Sequence, residues 1–418
     1  MSLVPVHGGL DVPVNRRIKL SQKRALLDEA AAFPTIAVTE ADLATLHRIA
    51  DGTLSPLTGP MNEDVYQRVL ETSTIRSNGR DFAWTIPLSL PVTDVEAARL
   101  RLGGKATLLA PDGTVVGLIE VQSLFDWDKA HYLQRVYRTA REDHPGARIA
   151  LDDPRTKLIG GDLYMLPPSA HPAYGAWLYT PTQTRALLRD RQYERALAFQ
   201  TRNPLHRAHE YALVYGAETL TRAGHYTGVV LNPLVGQLKG DDVDAATRMR
   251  CYQTLVSKRL LGVGDADRDL WDRVGYDIND VFHLIGLDIK MYYGGPSEAV
   301  MHAIYRQNHG YTNLVIGRKH ADAPYFDGTA IWGDFDAQEI FKNLAGELHI
   351  QPVNVGFAAY YESIGRVDLT DNHPGEKPYS ISGTKVREIL VSGEHPDERI
   401  LRPEVADVLI QVYRERQS

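Results

Sequence analysis

From about residue 181 the chain alternates short apolar runs with longer amphipathic stretches, and few folds accept that order. The short runs are Leu197 to Gln200, Thr227 to Leu231, Ile289 to Tyr293 and Leu314 to Gly317. The longer stretches are His206 to Ala223, Asp244 to Leu260 and Ser297 to His309, with a further helix expected at Pro181 to Arg191. Alternating strands and helices predict a parallel, doubly wound sheet, because parallel neighbours need a crossover long enough to hold a helix. Such sheets bind ligands beyond the C-terminal ends of their strands. Chemistry is therefore to be sought where these runs stop.

The most informative end is Gln200-Thr201-Arg202-Asn203-Pro204-Leu205-His206-Arg207-Ala208-His209-Glu210. It reads as a strand end passing into a helix, where free N–H groups and a partial positive charge favour anions. Asn203 is expected to cap that helix and Pro204 to open it. His206 and His209 then share one face of its first turn. Arg202 and Gln200 offer planar donors to an oxyanion just before the turn. Three other segments fall at or beside strand ends: Leu231 to Asp242, with Asn232-Pro233, two glycines, Lys239, Asp241 and Asp242; Tyr293 to Ala299, with Gly294-Gly295-Pro296; and Val315 to Ala321, with Gly317-Arg318-Lys319-His320. Together they predict a cationic, hydrogen-bonding pocket suited to a polyphosphate and a second anion. Each also has a plainer reading: a surface ion pair for Arg202, a simple turn at Gly294-Gly295-Pro296, solvated loops around Lys239 and Arg318. The histidine pair could ligate zinc by spacing, but a third ligand is not nearby, and neither a structural zinc nor any protein-held metal is expected. No P-loop, no dinucleotide fingerprint after a strand and no G-x-S-x-G elbow occurs.

The first 180 residues read differently. Runs at Phe82 to Leu90, Leu100 to Leu102, Lys105 to Leu109 and Thr114 to Val121 predict strands, the last two joined by the Pro111-Asp112-Gly113 turn. Helices are expected at Glu40 to Asp51, Glu63 to Thr72 and Trp127 to Tyr137, giving a small barrel-like domain with added helices. Asp265 to Asp272 reads as an exposed acidic loop or a helix start. Past residue 346 a smaller α/β piece is expected, with strands at His349 to Val355 and Ala359 to Glu362. A short helix at Ser382 to Ser392 and an amphipathic helix at Pro403 to Arg416 complete it. The 418 residues suffice for two to four domains. A formal net charge of -7 argues against non-specific nucleic-acid binding. No run approaches the roughly 20 apolar residues of a membrane helix, and no signal-peptide pattern opens the chain. The single cysteine, Cys251, excludes an intrachain disulfide and reads as a small buried hydrophobe; a cytoplasmic location is expected.

The stretch at 200–210 resembles the Q-x-R-N-P-x-H-x-x-H signature of ATP sulfurylase (sulfate adenylyltransferase). Ser55-Pro56-Leu57-Thr58-Gly59-Pro60-Met61, Gly317 to Ala321, Phe335 to Glu339 and Ile381 to Arg387 are similar to further segments of that family. The resemblance implies an α/β multidomain chain. A PUA-like, β-barrel-containing domain would occupy 1–180 and a nucleotidyltransferase-type catalytic domain with the doubly wound sheet 181–345. A small C-terminal α/β domain would occupy 346–418, in the single-function form without a kinase extension. It implies transfer of the adenylyl group of ATP, as Mg2+-ATP, to sulfate, giving adenylyl sulfate and pyrophosphate. Neither nucleic acid nor membrane is an expected partner, and a homo-oligomer is expected. Carried over by position, Gln200, Arg202 and the N–H of Ala321 would hold sulfate. Thr201, Arg202, Asn203, His206, His209 and Arg318 would be catalytic. Gln200, Asn203, His206, His209, Asn232, Pro233, Gly317, Arg318, His320 and Val355 would line the nucleotide site. Three places depart from the family's usual pattern: Asn232 stands for a histidine, Gly294 and Ser297 for the alanine and arginine of A-G-P-R-E-A, and Lys319 for the acid of G-R-D-H-A. These departures keep two alternatives open, an adenylyltransferase for another oxyanion and a nucleotide-binding homologue without turnover.

Overall fold

The computed structural model describes residues 3–236 and 243–417. Lys239, Asp241 and Asp242, part of the second candidate segment, lie outside the described residues.

The first half is built on a five-stranded mixed sheet in the order Thr35–Ala37, Lys105–Leu109, Val115–Asp126, Lys157–Met165, Leu90–Val92. Thr74–Ser77 and Arg80–Ala83 form a separate hairpin. The strand expected across Phe82 to Leu90 is therefore broken, because Trp84, Ile86 and Leu88 turn into the core instead of pairing. Leu100 to Leu102 is irregular and leads into a turn rather than a strand; Gly103 at φ +76° shapes it. The three expected helices are present at Glu40–Ala50, Glu63–Thr72 and Lys129–Val136. Thr39 and Asp42 form a capping box on the first of these, satisfying backbone donors that would otherwise lack acceptors.

The second half contains a five-stranded sheet in which every pairing is parallel. Its order is Phe282–Leu284, Thr227–Leu231, Arg195–Phe199, Asn313–Ile316, Gln351–Asn354. Thr227 to Leu231 are all buried, as expected of a strand covered on both faces. The run Ile289 to Tyr293 is not a strand. Ile289, Met291, Tyr292 and Tyr293 instead pack into the core of the first half, and Phe282–Leu284 takes the edge of the sheet. Gln351–Asn354 pairs with Asn313–Ile316, so the sheet continues past the boundary expected near 346.

The chain progresses outward in both directions from Arg195–Phe199, which makes the gap between this strand and Asn313–Ile316 the switch point. Side chains following these two strands face a crevice that no crossing connection fills. Over it lies the Arg207–Arg222 helix, and the Ala358–Tyr361 and Arg366–Leu369 hairpin packs against that helix. The expected acidic loop contributes a helix start: Asp267 caps Arg268–Val274, while Asp265 is buried against Arg207. The C-terminal helix Pro403–Gln417 packs on Ala245–Ser257.

Candidate active site

The strand Arg195–Phe199 delivers Gln200, Thr201 and Arg202 to the switch point. The turn that follows is held from outside. Arg248 donates to the carbonyl of Arg202 at 2.8 Å, Tyr252 Oη donates to that of Asn203 at 2.8 Å, and the N–H of Leu234 reaches that of Thr201 at 2.9 Å. Thr201 Oγ1 bridges within the turn, donating to the carbonyl of Asn203 at 3.0 Å. Leu205 is buried in the core beneath. Seating it delays the helix, which begins at Arg207 and not at Pro204. The cap is His206, whose Nδ1 accepts the N–H of His209 at 3.4 Å, and not Asn203.

The two imidazoles stack with centroids 3.9 Å apart. Removal from water, then repulsion by His209, lowers His206 to about 3. His209 is exposed at the cleft, and the protein around it lowers its pKa as well. Both rings are thus neutral at pH 7. Because Nδ1 of His206 accepts, its proton sits on Nε2, a donor to whatever enters.

Across the switch point, Asn313–Ile316 leads into Gly317, Arg318, Lys319, His320 and Ala321. Lys319 and Ala321 both have positive φ, +51° and +56°. Backbone in such alternation turns N–H groups to one side and forms a concavity for anions. Among the described residues the N–H groups of His320 and Ala321 take no acceptor. Arg318 bonds Asp334 at 2.7 Å and lies 3.6 Å from the centroid of the Phe357 ring. Lys319 stands 3.6 Å from the same carboxylate. Lys319 thus shares with Arg318 a single acid, Asp334, which the sequence reading did not single out.

These elements enclose a cleft of about 540 Å3. Gln200, Thr201, Arg202, Asn203, His206 and His209 line one side, and Gly317, Arg318, His320, Ala321 and Val355 the other. Arg202 lies over the ring of Tyr293, 5.5 Å from its centroid, and meets no carboxylate among the described residues. Gln200 keeps a buried, unpaired Oε1. Asn232 and Pro233 do not line the cleft. Asn232 is buried behind it, donating to the carbonyl of Ile285 at 2.5 Å and accepting from Arg306 at 2.9 Å. Its amide is consumed in joining the sheet to the Pro296–His309 helix. Asp334, beside the cleft, is the residue that residue-by-residue reading missed; Tyr293 falls within a flagged segment, and the resemblance places the backbone of Val355 to Phe357 at the nucleotide site.

Comparison with known proteins bears on what this cleft belongs to. The ATP-sulfurylase family model matches residues 176–412, which hold the whole cleft. The chain belongs to the ATP-sulfurylase family. A PUA-like domain matches residues 4–168, the half built on the mixed sheet. The chain is 55% identical over 413 residues to a sulfate adenylyltransferase of Pyropia yezoensis, covering 98% of this chain and 97% of that one. It is 37% identical to a sulfate adenylyltransferase of a Synechococcus strain, over 99% and 97% of the two chains. Similarity of 35% to a probable bifunctional SAT/APS kinase of Sorangium cellulosum spans 99% of this chain and 66% of that longer one. A solved structure described as a hexameric APS kinase from Thiobacillus denitrificans shares the fold, with a TM-score of 0.70 at 21% identity over 98% of this chain and 68% of that one. Among the described residues no helix is long and apolar enough to cross a membrane.

Burial of histidine extends beyond the cleft and sets an acid limit on this fold. Desolvation lowers His7 and His283 to about 4 and His47, His206 and His320 to about 3. The unfolded chain takes up these protons near pH 6.5 and the folded chain only near 3 to 4. The unfolded state thus binds more protons within that window, so stability falls as pH drops through it. Glu298, raised to about 7 by burial, acts in the opposite sense, as do the raised carboxyls of Glu210 and Asp322, but lowered His209, His302 and His309 add to the first group and outweigh them. Thermal melting is expected at clearly lower temperature at pH 5 than at pH 7.5. A melting temperature unchanged between them would contradict neutral burial of these rings.

Proposed function

We propose that this cleft joins sulfate to the adenylyl group of MgATP, releasing pyrophosphate and forming adenylyl sulfate. The observation that carries the reading is an unpaired guanidinium, Arg202, facing the same crevice as the free N–H groups of His320 and Ala321, at the switch point of a parallel sheet. Sulfate is a weak nucleophile with no proton to lose near pH 7, so a general base is superfluous. What the reaction needs is relief of repulsion between two anions and one sulfate oxygen in line with the α-phosphorus. Arg202, Gln200 and the Ala321 N–H would seat the sulfate. The N–H donors of His206 and His209, the helix N-terminus at Arg207 and the Arg318 guanidinium would stabilise charge on the α-phosphate and the departing pyrophosphate. Asn203 and Thr201 would keep the turn in shape, and Phe357 with Val355 and Gly317 would flank the nucleotide. Among the described residues no group of three or more His, Cys, Asp or Glu converges as a metal cage. The fit is with a magnesium ion carried by the triphosphate and water, where it would neutralise phosphate charge.

Pyrophosphate release from MgATP, measured with sulfate, selenate, molybdate, phosphate or no oxyanion, tests the assignment. Release that requires sulfate supports it. Release driven by another oxyanion alone, or nucleotide binding without release, would replace it with the corresponding alternative. Replacing His209 with alanine is expected to lower turnover about 100-fold, the typical loss for one transition-state donor. A steady-state rate close to that of the parent would remove His209 from the list of participants.

A further inference from the structure

One fully buried carboxylate joins the two walls of the cleft from behind. Glu298, in the first turn of the Pro296–His309 helix, is 1% exposed. Its Oε1 accepts the N–H of Tyr292 at 2.8 Å and its Oε2 that of Gly294 at 3.0 Å. Between them Tyr293 is held at φ +53°, a region that aromatic residues seldom occupy. This is the residue whose ring lies under Arg202. One turn further along the helix, Nε2 of His302 stands 3.4 Å from Oε1 of Glu298, within ion-pair reach but without hydrogen-bond geometry. His302 is wholly buried, and its Nδ1 is 3.0 Å from Nε2 of His320, whose ring lines the cleft. A bond of 3.0 Å from the N–H of Gly295 to the carbonyl of Ala321 ties the same two loops.

The ends of this chain of groups dictate where its protons sit. Above about pH 7, where Glu298 is ionised, its charge 3.4 Å away repels a lone pair and favours the proton on the facing His302 nitrogen. In a neutral ring Nδ1 of His302 is then an acceptor, and His320 must donate to it through Nε2–H. The remaining nitrogen of His320, Nδ1, has no partner among the described residues. We propose that Glu298 is a positioning residue for both walls: through two amides it sets the Tyr293 ring beneath Arg202, and through His302 it fixes His320 as the Nε2–H tautomer. The kinetic part of this proposal rests on the sulfate adenylylation reading; the tautomer part does not.

Histidine-15N-labelled full-length protein provides the direct test, by long-range proton–nitrogen correlation at pH 8.5, with the His320 signals assigned through a His320→Gln variant. The parent is expected to show Nε2–H on both His302 and His320. In Glu298→Gln the charge that favours this tautomer is gone, so both rings should shift toward Nδ1–H. The same variant should raise the KM for sulfate roughly 10- to 100-fold, the usual range for loss of an outer partner that orients a binding group, with little change in that for MgATP. Nδ1–H on His320 in the parent, an unchanged His320 tautomer in folded Glu298→Gln, or an unchanged sulfate KM in that variant would each overturn the proposal. Should Glu298→Gln not fold, the parent spectrum alone decides. Absence of sulfate-dependent turnover in the parent would sink the functional reading and leave the tautomer result standing.

Discussion

Replacing Arg202 with alanine is expected to lower sulfate-dependent pyrophosphate release about 1,000-fold, the upper range for loss of one preorganised donor to a developing or bound anion. The fold should survive. The guanidinium meets no carboxylate among the described residues, so its removal strands no buried charge. The turn keeps its shape because Arg248 and Tyr252 hold backbone carbonyls, not the Arg202 side chain. Arg202→Lys should recover only part of the rate. An ammonium restores the charge but not the planar pair of donors that matches two oxygens of a tetrahedral dianion. Coupled pyrophosphate release, alongside circular-dichroism melting of both variants, separates the outcomes. Ordinary turnover in the alanine variant would take Arg202 out of the sulfate site.

The turn at 200–210 was legible because its proposed chemistry and its fold coincide. A buried apolar run, a polar turn and a helix start are all written between Leu197 and Ala223, and the anion-seeking side chains fall where that order puts them. Long-range packing was not legible. Ile289 to Tyr293 has the composition of a strand, but its apolar side chains serve the core of the other half, and only the folded chain shows which core claims them. The true edge strand, Phe282–Leu284, is three residues long with His283 at its centre, too short to signal itself. Local capping rules favour Asn203 over His206, yet burial of Leu205 fixes where the turn can end. Asn232 was assigned to the nucleotide by position. The structure spends its amide on Ile285 and Arg306 instead, a demand set by residues more than 50 positions away. Lys319 shows the same limit. Read alone it stands as a free cation, whereas in the fold it shares Asp334 with Arg318.

Arg402→Ala is expected to destabilise the catalytic half by about 3 to 5 kcal/mol, the cost of leaving one member of a buried ion pair without its partner. Arg402 donates through Nε to Oε2 of Glu210 at 2.8 Å and through Nη2 to Oε1 at 2.7 Å, with a further bond to the carbonyl of Val263 at 2.9 Å. Glu210 is 2% exposed and also accepts the N–H of Gly262 at 2.7 Å. It lies on the first turn of the helix that carries His209 and is capped by His206, so this pair anchors that helix to the C-terminal segment. Even in the intact protein burial outweighs the guanidinium and raises the Glu210 carboxyl above its ordinary range. A buried acid with a raised pKa destabilises the fold increasingly as pH rises from the unfolded value to the folded one, and the loss levels off above it. Without Arg402 the carboxyl should rise further, so the loss of stability should be larger at pH 8 than at pH 5.5. Joint replacement with Glu210→Gln and Arg402→Met should recover part of the loss, since neither an unpaired charge nor an empty volume of the same size remains. Denaturant melts of the three forms at both pH values provide the measurement. Arg402→Ala melting with its parent at pH 8 would show that the pair does not hold this helix in place.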